Sequence, residues 1–176
     1  MSYYHAGKVY VLEDIVFDTN FCIDLDKGGI LGDILFLRDT YRFVSSVFIK
    51  DEIKSIDTSM LEMHIMAFVD LPGSDVRLVS EYVSRYRGIS YQDGSTLALA
   101  KRMGCLLITR DGLLQEAAEH EGVSTEHSVW VIERMIEKEV LKPKEAISAI
   151  QSIISKRPRF KDGIGLDRLN RLLRVK

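Results

Sequence analysis

The chain has 176 residues, 46% of them hydrophobic and 28% charged, an ordinary globular balance that fits one domain able to bury a core without staples. A net charge of −2 argues against a polyanion partner for the chain as a whole, and two isolated cysteines, Cys22 and Cys105, exclude a disulfide framework and suit a reducing compartment. No apolar run approaches the ~20 residues of a membrane span, and "MSYYHAGKVYVLED" lacks the apolar stretch of a signal peptide, so a soluble, cytoplasmic protein with no membrane partner is expected.

In chain order, "VYVLEDIVFD" reads as a strand ending at Asp18, and "FCIDLDKGG" as a short helix stopped by Gly28 and Gly29. "ILGDILFLRDTY" has helix-like spacing at Ile34, Leu35 and Leu37. "RFVSSVFI" predicts a strand that passes through Ser45 or Ser46 into a helix, "FIKDEIKSI", and residues 58–70 read as amphipathic up to Pro72. "VRLVSEYVSRYRG" mixes strand and helix signals. Next come a helix from Asp93 to the stop at Gly104, the apolar strand "CLLIT" and a helix from Asp111 to Gly122. "VSTEHSVWVIERMIEKEVL" begins as a strand or turn and becomes helical, and Pro143 opens the last main helix. Strands alternating with helices predict an α/β fold with a parallel sheet covered on both faces.

The charge is unevenly distributed. Residues 156–176 hold Lys156, Arg157, Arg159, Lys161, Arg168, Arg171, Arg174 and Lys176 against Asp162 and Asp167, net +6, which leaves residues 1–155 at −8. That split points to cation binding in one place and anion binding in another, or to a solvated basic helix at the C-terminal end.

Asp18 and Asp111 follow apolar strands, and Asp93 opens a helix. In an open parallel α/β sheet the carboxyl ends of the strands form the ligand crevice, where acids distant in sequence can meet. Taken singly, Asp93 and Asp111 read first as helix N-caps, and Asp18-Thr19-Asn20 as a cap with spare polar groups. Glu52 lies further into its expected helix, where the alternative is an exposed helix charge, and Asp51 beside it is a second candidate. If all four point into one crevice they repel one another unless a cation joins them, and all-oxygen ligation selects Mg2+ or Mn2+. Such a site suits phosphodiester hydrolysis by metal-activated water.

Four segments in order resemble the PIN-domain family, which includes VapC-type toxin ribonucleases: "VFDTNFCIDL", "YRFVSSVFIKDEIKS", then "DGSTLALAKRMG" joined to "CLLITRDGLL", together within about residues 9–150. The resemblance implies a three-layer α/β/α fold with a mostly parallel sheet of about five strands, one domain over residues 1–176, and a basic helical tail over 156–176. It implies a Mg2+- or Mn2+-dependent endoribonuclease with Asp18, Glu52, Asp93 and Asp111 as catalytic, metal-binding carboxylates, and Asn20 and Thr109 as hydrogen-bonding supports. Asp24 and Asp26 lie close enough to be drawn in. RNA is the implied substrate, with an antitoxin protein and a homodimer as implied partners. Arg85 and Arg87 among Tyr82, Tyr86 and Tyr91 could hold single-stranded RNA, or the tyrosines could be core and the arginines surface; Arg110, Lys101 and Arg102 could add phosphate contacts.

A phosphatase with an Asp-x-Asp motif is the nearest competing enzyme, but position 20 is Asn, so its proton-transferring acid is missing. A receiver domain needs a later strand-end Lys that is not found. A non-catalytic PIN scaffold binding RNA or a protein is the alternative from another class. His5, His64, His120 and His127 show no zinc spacing, although His120 and His127 flank an acidic stretch.

Overall fold

The computed structural model describes residues 2–5, 8–162, 164 and 166–173, and only the backbone of residues 2–5, 8–11, 166, 169 and 173. Strands β1 (Ser2–His5) and β2 (Lys8–Val11) pair as an antiparallel hairpin. The main sheet contains β3 (Glu13–Phe17), β4 (Tyr41–Ser46), β5 (Met66–Val69), β6 (Leu106–Ile108) and β7 (Thr125–Glu126). Its order is β5-β4-β3-β6-β7 and every pairing is parallel.

Side-chain alternation on β3 builds two cores. Ile15 and Phe17 face one side, where they join Phe21, Phe43, Ile132 and Ile150. The helices there are α1 (Thr19–Gly28), α6 (Val129–Glu137) and α7 (Pro143–Lys156), with a 3-10 segment over Gly32–Leu37. Val16 faces the other side with Val44, Leu97, Leu107 and Leu114, beneath α3 (Gly73–Arg85), α4 (Tyr91–Met103) and α5 (Gly112–His120). The result is the expected three-layer α/β/α fold with five parallel strands. Among the described residues no helix is long and apolar enough to cross a membrane.

Several local expectations are corrected. The opening apolar run divides at Leu12, because its first part belongs to the hairpin. No α-helix follows β4. Ser46 caps a 3-10 turn, Val47–Ile49, and the chain continues through i→i−3 bonds such as Glu52 N to the Ile49 carbonyl (3.0 Å) and Ile56 N to the Ile53 carbonyl (2.8 Å). Ile49 and Ile53 are buried as a helix would bury them, but a short segment rich in β-branched residues forms tighter turns. Residues 58–70 split into α2 (Ser59–His64) and β5, and the ambiguous 76–88 segment is mostly α3. The basic C-terminal stretch is not a free solvated helix: it forms a 3-10 turn, Pro158–Lys161, and α8 (Leu166–Leu173). Phe160 and Leu172 are buried, and Arg168 pairs with Glu126 and Glu133 at 2.8 and 2.6 Å. Arg174 and Lys176 lie outside the described residues.

Candidate active site at the carboxyl edge of the sheet

Asp18 follows β3, and its backbone N–H extends the sheet by donating to the Ile108 carbonyl of β6 (3.1 Å). Its side chain caps α1, with Oδ1 accepting from Phe21 N (3.1 Å), while Oδ2 accepts from Thr109 Oγ1 (2.6 Å) and Asn20 Nδ2 (3.3 Å). The residue is only 3% exposed. Burial pushes its pKa up to about 6, and the nearby Asp93 charge adds to the rise, against the lowering effect of the three hydrogen bonds.

Thr109, fully buried after β6, connects two of the acids: it donates to Asp18 and its hydroxyl accepts from Asp111 N (3.1 Å). Asp111 is the N-cap of α5, with Oδ1 accepting from Leu113 N (2.9 Å) and Leu114 N (3.0 Å). Asp93 is not the first residue of its helix. Ser90 caps α4, and Asp93 completes a capping box by accepting from Ser90 N (3.0 Å) and Ser90 Oγ (2.7 Å). Glu52, exposed on the turn after β4, accepts a hydrogen bond from Thr19 Oγ1, next to Asp18.

All four carboxylates therefore occupy one edge of the sheet, but they do not share one ligand shell. Among the described residues no three Asp, Glu, His or Cys side chains are grouped so as to hold a metal ion. Asp93 and Asp111 are turned onto their own helix N-termini, and Glu52 onto Thr19. The donor chemistry nevertheless fits a hard divalent cation. Every candidate ligand is a carboxylate oxygen, and the buried Asp18 stands close enough to Asp93 to be raised by its charge.

An ion cluster that the sequence did not single out lies beneath this edge. Asp24 is fully buried and pairs with Arg157 (2.5 Å) and Arg110 (3.2 Å), while accepting from Ser128 Oγ (3.3 Å). Asn20 Oδ1 accepts from both guanidiniums, Arg157 Nη2 at 2.8 Å and Arg110 Nη2 at 3.3 Å. Asn20 thus passes the constraint upward, one end of its amide held by the arginines and the other donating to Asp18. Arg157 is 133 positions from Asp24, and its only signal in the sequence is membership of the basic C-terminal stretch. Asp26 pairs with its neighbour Lys27 at the far end of α1 (2.9 Å) and is not drawn in.

Arg110, with 13% of its side chain exposed, is paired with Asp24. Arg85, Lys101, Tyr82 and Tyr86 converge on Glu121; burial alone would raise that carboxyl, but the bonds from Lys101 and Tyr86 outweigh it and hold the pKa at about 2. Tyr82 is fully buried and Tyr86 partly so, while Arg85 and Arg87 are exposed. Arg102 pairs with Asp75 (2.9 Å). His120 stacks on Tyr86, whereas His127 is buried edge-on to Phe160 with Nδ1 accepting from Val129 N (3.1 Å).

No family model and no curated protein matches the chain. Among solved structures, a PilT N-terminus domain protein, SSO1118, from the hyperthermophilic archaeon Sulfolobus solfataricus P2 is 18% identical, with a TM-score of 0.48 over 70% of this chain and 94% of that one. PAE2754 from Pyrobaculum aerophilum is 15% identical, with a TM-score of 0.50 over 72% of this chain and 99% of that one. The likeness is one of fold, the PIN-like three-layer arrangement described above.

Proposed function

We propose that this chain, with its PIN-like fold, is a Mg2+- or Mn2+-dependent endoribonuclease that hydrolyses RNA phosphodiester bonds at the edge shared by Asp18, Glu52, Asp93 and Asp111. The observation that carries the proposal is Asp18: a carboxylate 3% exposed, fixed by Thr109, Asn20 and Phe21 N, its pKa raised to about 6 by burial and by a second acid. A cation relieves both penalties, and oxygen-only donors favour a hard one. When bound, a divalent ion supplies the Lewis acidity that makes water nucleophilic near neutral pH.

The remaining roles belong to the chain's own groups. Asp18 is the fixed acid, its orientation set by Thr109 and by the Asn20 amide that Arg157 holds. Asp93 and Asp111 would leave their caps to join it, at about 1 kcal/mol each, and Glu52 would leave Thr19. The toxin role, an antitoxin partner and a homodimer belong to the proposal through the resemblance alone, and sedimentation of the purified chain tests the last of these.

Incubation of unstructured RNA with Mn2+, Mg2+ or EDTA tests the reading. Metal-dependent cleavage and a metal-induced rise in Tm are expected of the wild type, and neither of Asp18→Asn. Wild-type cleavage by Asp18→Asn, or no cleavage and no metal-induced rise for the wild type, overturns it. The capping of Asp93 and Asp111 favours one second reading, a non-catalytic scaffold that binds RNA without cutting it. The phosphatase reading loses further ground, because Asn20 has its carbonyl on Arg157 and its amino group on Asp18, with no proton to transfer.

A further inference from the structure

One flank of the proposed site is built on buried arginines. Asp24 is paired with two guanidiniums, Arg110 and Arg157, directly under Asn20, and Arg157 also feels the charge of Asp18. Burying such a network is often no more favourable than filling the same space with apolar side chains. What the network does is hold a particular segment in place. Arg157 ends α7 and leads directly into the 3-10 turn Pro158–Lys161. Arg110 Nη1 donates to the Arg159 carbonyl (3.4 Å), and the fully buried Phe160 packs edge-on to His127 with ring centroids 4.8 Å apart. Arg159 and Lys161, on either side of that buried ring, are exposed.

The turn therefore stands at the carboxyl edge beside β6 and β7. On the other side of Asp18, past β4, lies an edge-on aromatic pair, Phe48 and Tyr91, with centroids 5.1 Å apart; Phe48 is 36% exposed and Tyr91 partly so. The acids lie between a basic flank and an aromatic one. Aromatic faces beside a cationic track suit a single strand, whose bases are free to stack while its phosphates meet the cations. The rest of the chain, residues 1–155, carries −8 and opposes a polyanion elsewhere, so the basic turn sets where one can approach.

We infer that the turn Pro158–Lys161 is the phosphate-binding flank of the site. Arg159 and Lys161 take backbone phosphates of single-stranded RNA, and the Arg157–Asp24–Arg110 cluster holds the turn in place relative to Asp18. This assignment rests on the nuclease reading of the same edge. The assay is fluorescence anisotropy of a labelled single-stranded oligoribonucleotide in EDTA over a range of KCl, so that binding is read without cleavage. Removing two phosphate contacts with Arg159→Ala/Lys161→Ala is expected to lower the slope of log K against log salt by about 1.4 and to weaken binding about twentyfold at ~0.1 M salt. Lys138→Ala/Lys144→Ala, a charge-matched pair of exposed residues about the α6–α7 connection, is expected to leave both unchanged. Equal losses in the two variants overturn the assignment, as does no binding of the oligonucleotide by the wild type. Metal-dependent cleavage by the wild type with unaltered binding in Arg159→Ala/Lys161→Ala overturns the flank and leaves the nuclease standing. Binding that depends on Arg159 and Lys161 with no cleavage in Mn2+ does the reverse.

Discussion

Asp18→Asn is expected to make the metal-free protein more stable while abolishing its metal response. The carboxyl's pKa rises from 3.8 to about 6 in the fold, chiefly through burial. At neutral pH the ionised group therefore opposes folding by about 3 kcal/mol, at 1.36 kcal/mol per unit. Asn is as good an N-cap as Asp, so the bond from Phe21 N survives, but an amide cannot accept from Thr109 and Asn20 as Oδ2 does, which returns about 1 kcal/mol. The net gain of about 2 kcal/mol corresponds to a rise in Tm of about 4–8 °C for a chain of this length. The sign with pH follows from the direction of the shift. The folded pKa lies above the unfolded one, so Asp18 favours folding while it is protonated and loses that contribution as pH rises through about 6. The advantage of Asn should be smallest near pH 4, grow through pH 6 and level off above it. Thermal melts of both proteins in EDTA across that range measure the difference, and other buried groups that titrate there, His127 among them, cancel between the two. A difference that does not change with pH, or an Asn variant less stable than the wild type at pH 8, would refute the reasoning.

Two further substitutions address the surroundings of the site. Asp24→Ala leaves Arg110 and Arg157 facing each other without their shared carboxylate and should cost about 3–5 kcal/mol in urea unfolding; a loss below about 1 kcal/mol would mean that the cluster is not structural. Burial and, to a lesser degree, the charges of Arg110 and Arg168 push His127 down to about 4, against a hydrogen bond to the Phe160 backbone. Its folded pKa lies below the unfolded one, so its contribution is present above about pH 6.5 and is lost as pH falls towards 4. His127→Gln should flatten that part of the stability profile, read as urea midpoints at pH 7 and pH 4.5, and an unchanged fall would assign it to other groups.

The parts of the architecture set by local chemistry could be read in the sequence. Gly29, with φ 72°, and Gly104, with φ 62°, end α1 and α4 where the sequence placed the stops, and the apolar triplets of β3 and β6 are the inner strands buried on both faces. Strand β5 was not legible: Met66–Val69 carries straight on from the amphipathic Ser59–His64, with only Ile65 between them, and its strand character comes from pairing with Phe43–Ser46. The segment around Glu52 misled because isoleucines at 49, 53 and 56 have helical spacing, which a string of i→i−3 turns also satisfies on one face. Of the candidate site, Asp18 and Asp111 were legible as strand-end acids, because the ends of β3 and β6 are marked by where apolar runs stop, whereas Asp93 follows a helix and Glu52 lies on turns six residues past β4. The Asp24–Arg157 pair was not legible, because a contact across 133 residues leaves no periodicity and Arg157 resembles every other cation in the C-terminal stretch.

Cap and ligand need not be competing explanations of these acids. A chain leaving a parallel strand for a helix presents unpaired N–H groups and the positive end of the helix dipole at the carboxyl edge, so an Asp there is favoured whether or not a metal ever binds. The topology then collects such residues: Asp18, Asp93 and Asp111 lie at the N-termini of three helices around the ends of β3 and β6, each negative charge partly compensated by its own helix. That compensation is what lets one edge hold several acids. Asp111 separates the two roles. Asp111→Asn keeps an acceptor for Leu113 N and Leu114 N and removes the charge, whereas Asp111→Ala removes both. Asp111→Asn should melt close to the wild type in EDTA and Asp111→Ala should lose about 1 kcal/mol, while both lose the same part of the Tm rise in Mn2+. If Asp111→Asn keeps the full response to Mn2+, the residue is a cap and nothing more, and the proposed metal site loses one of its four acids.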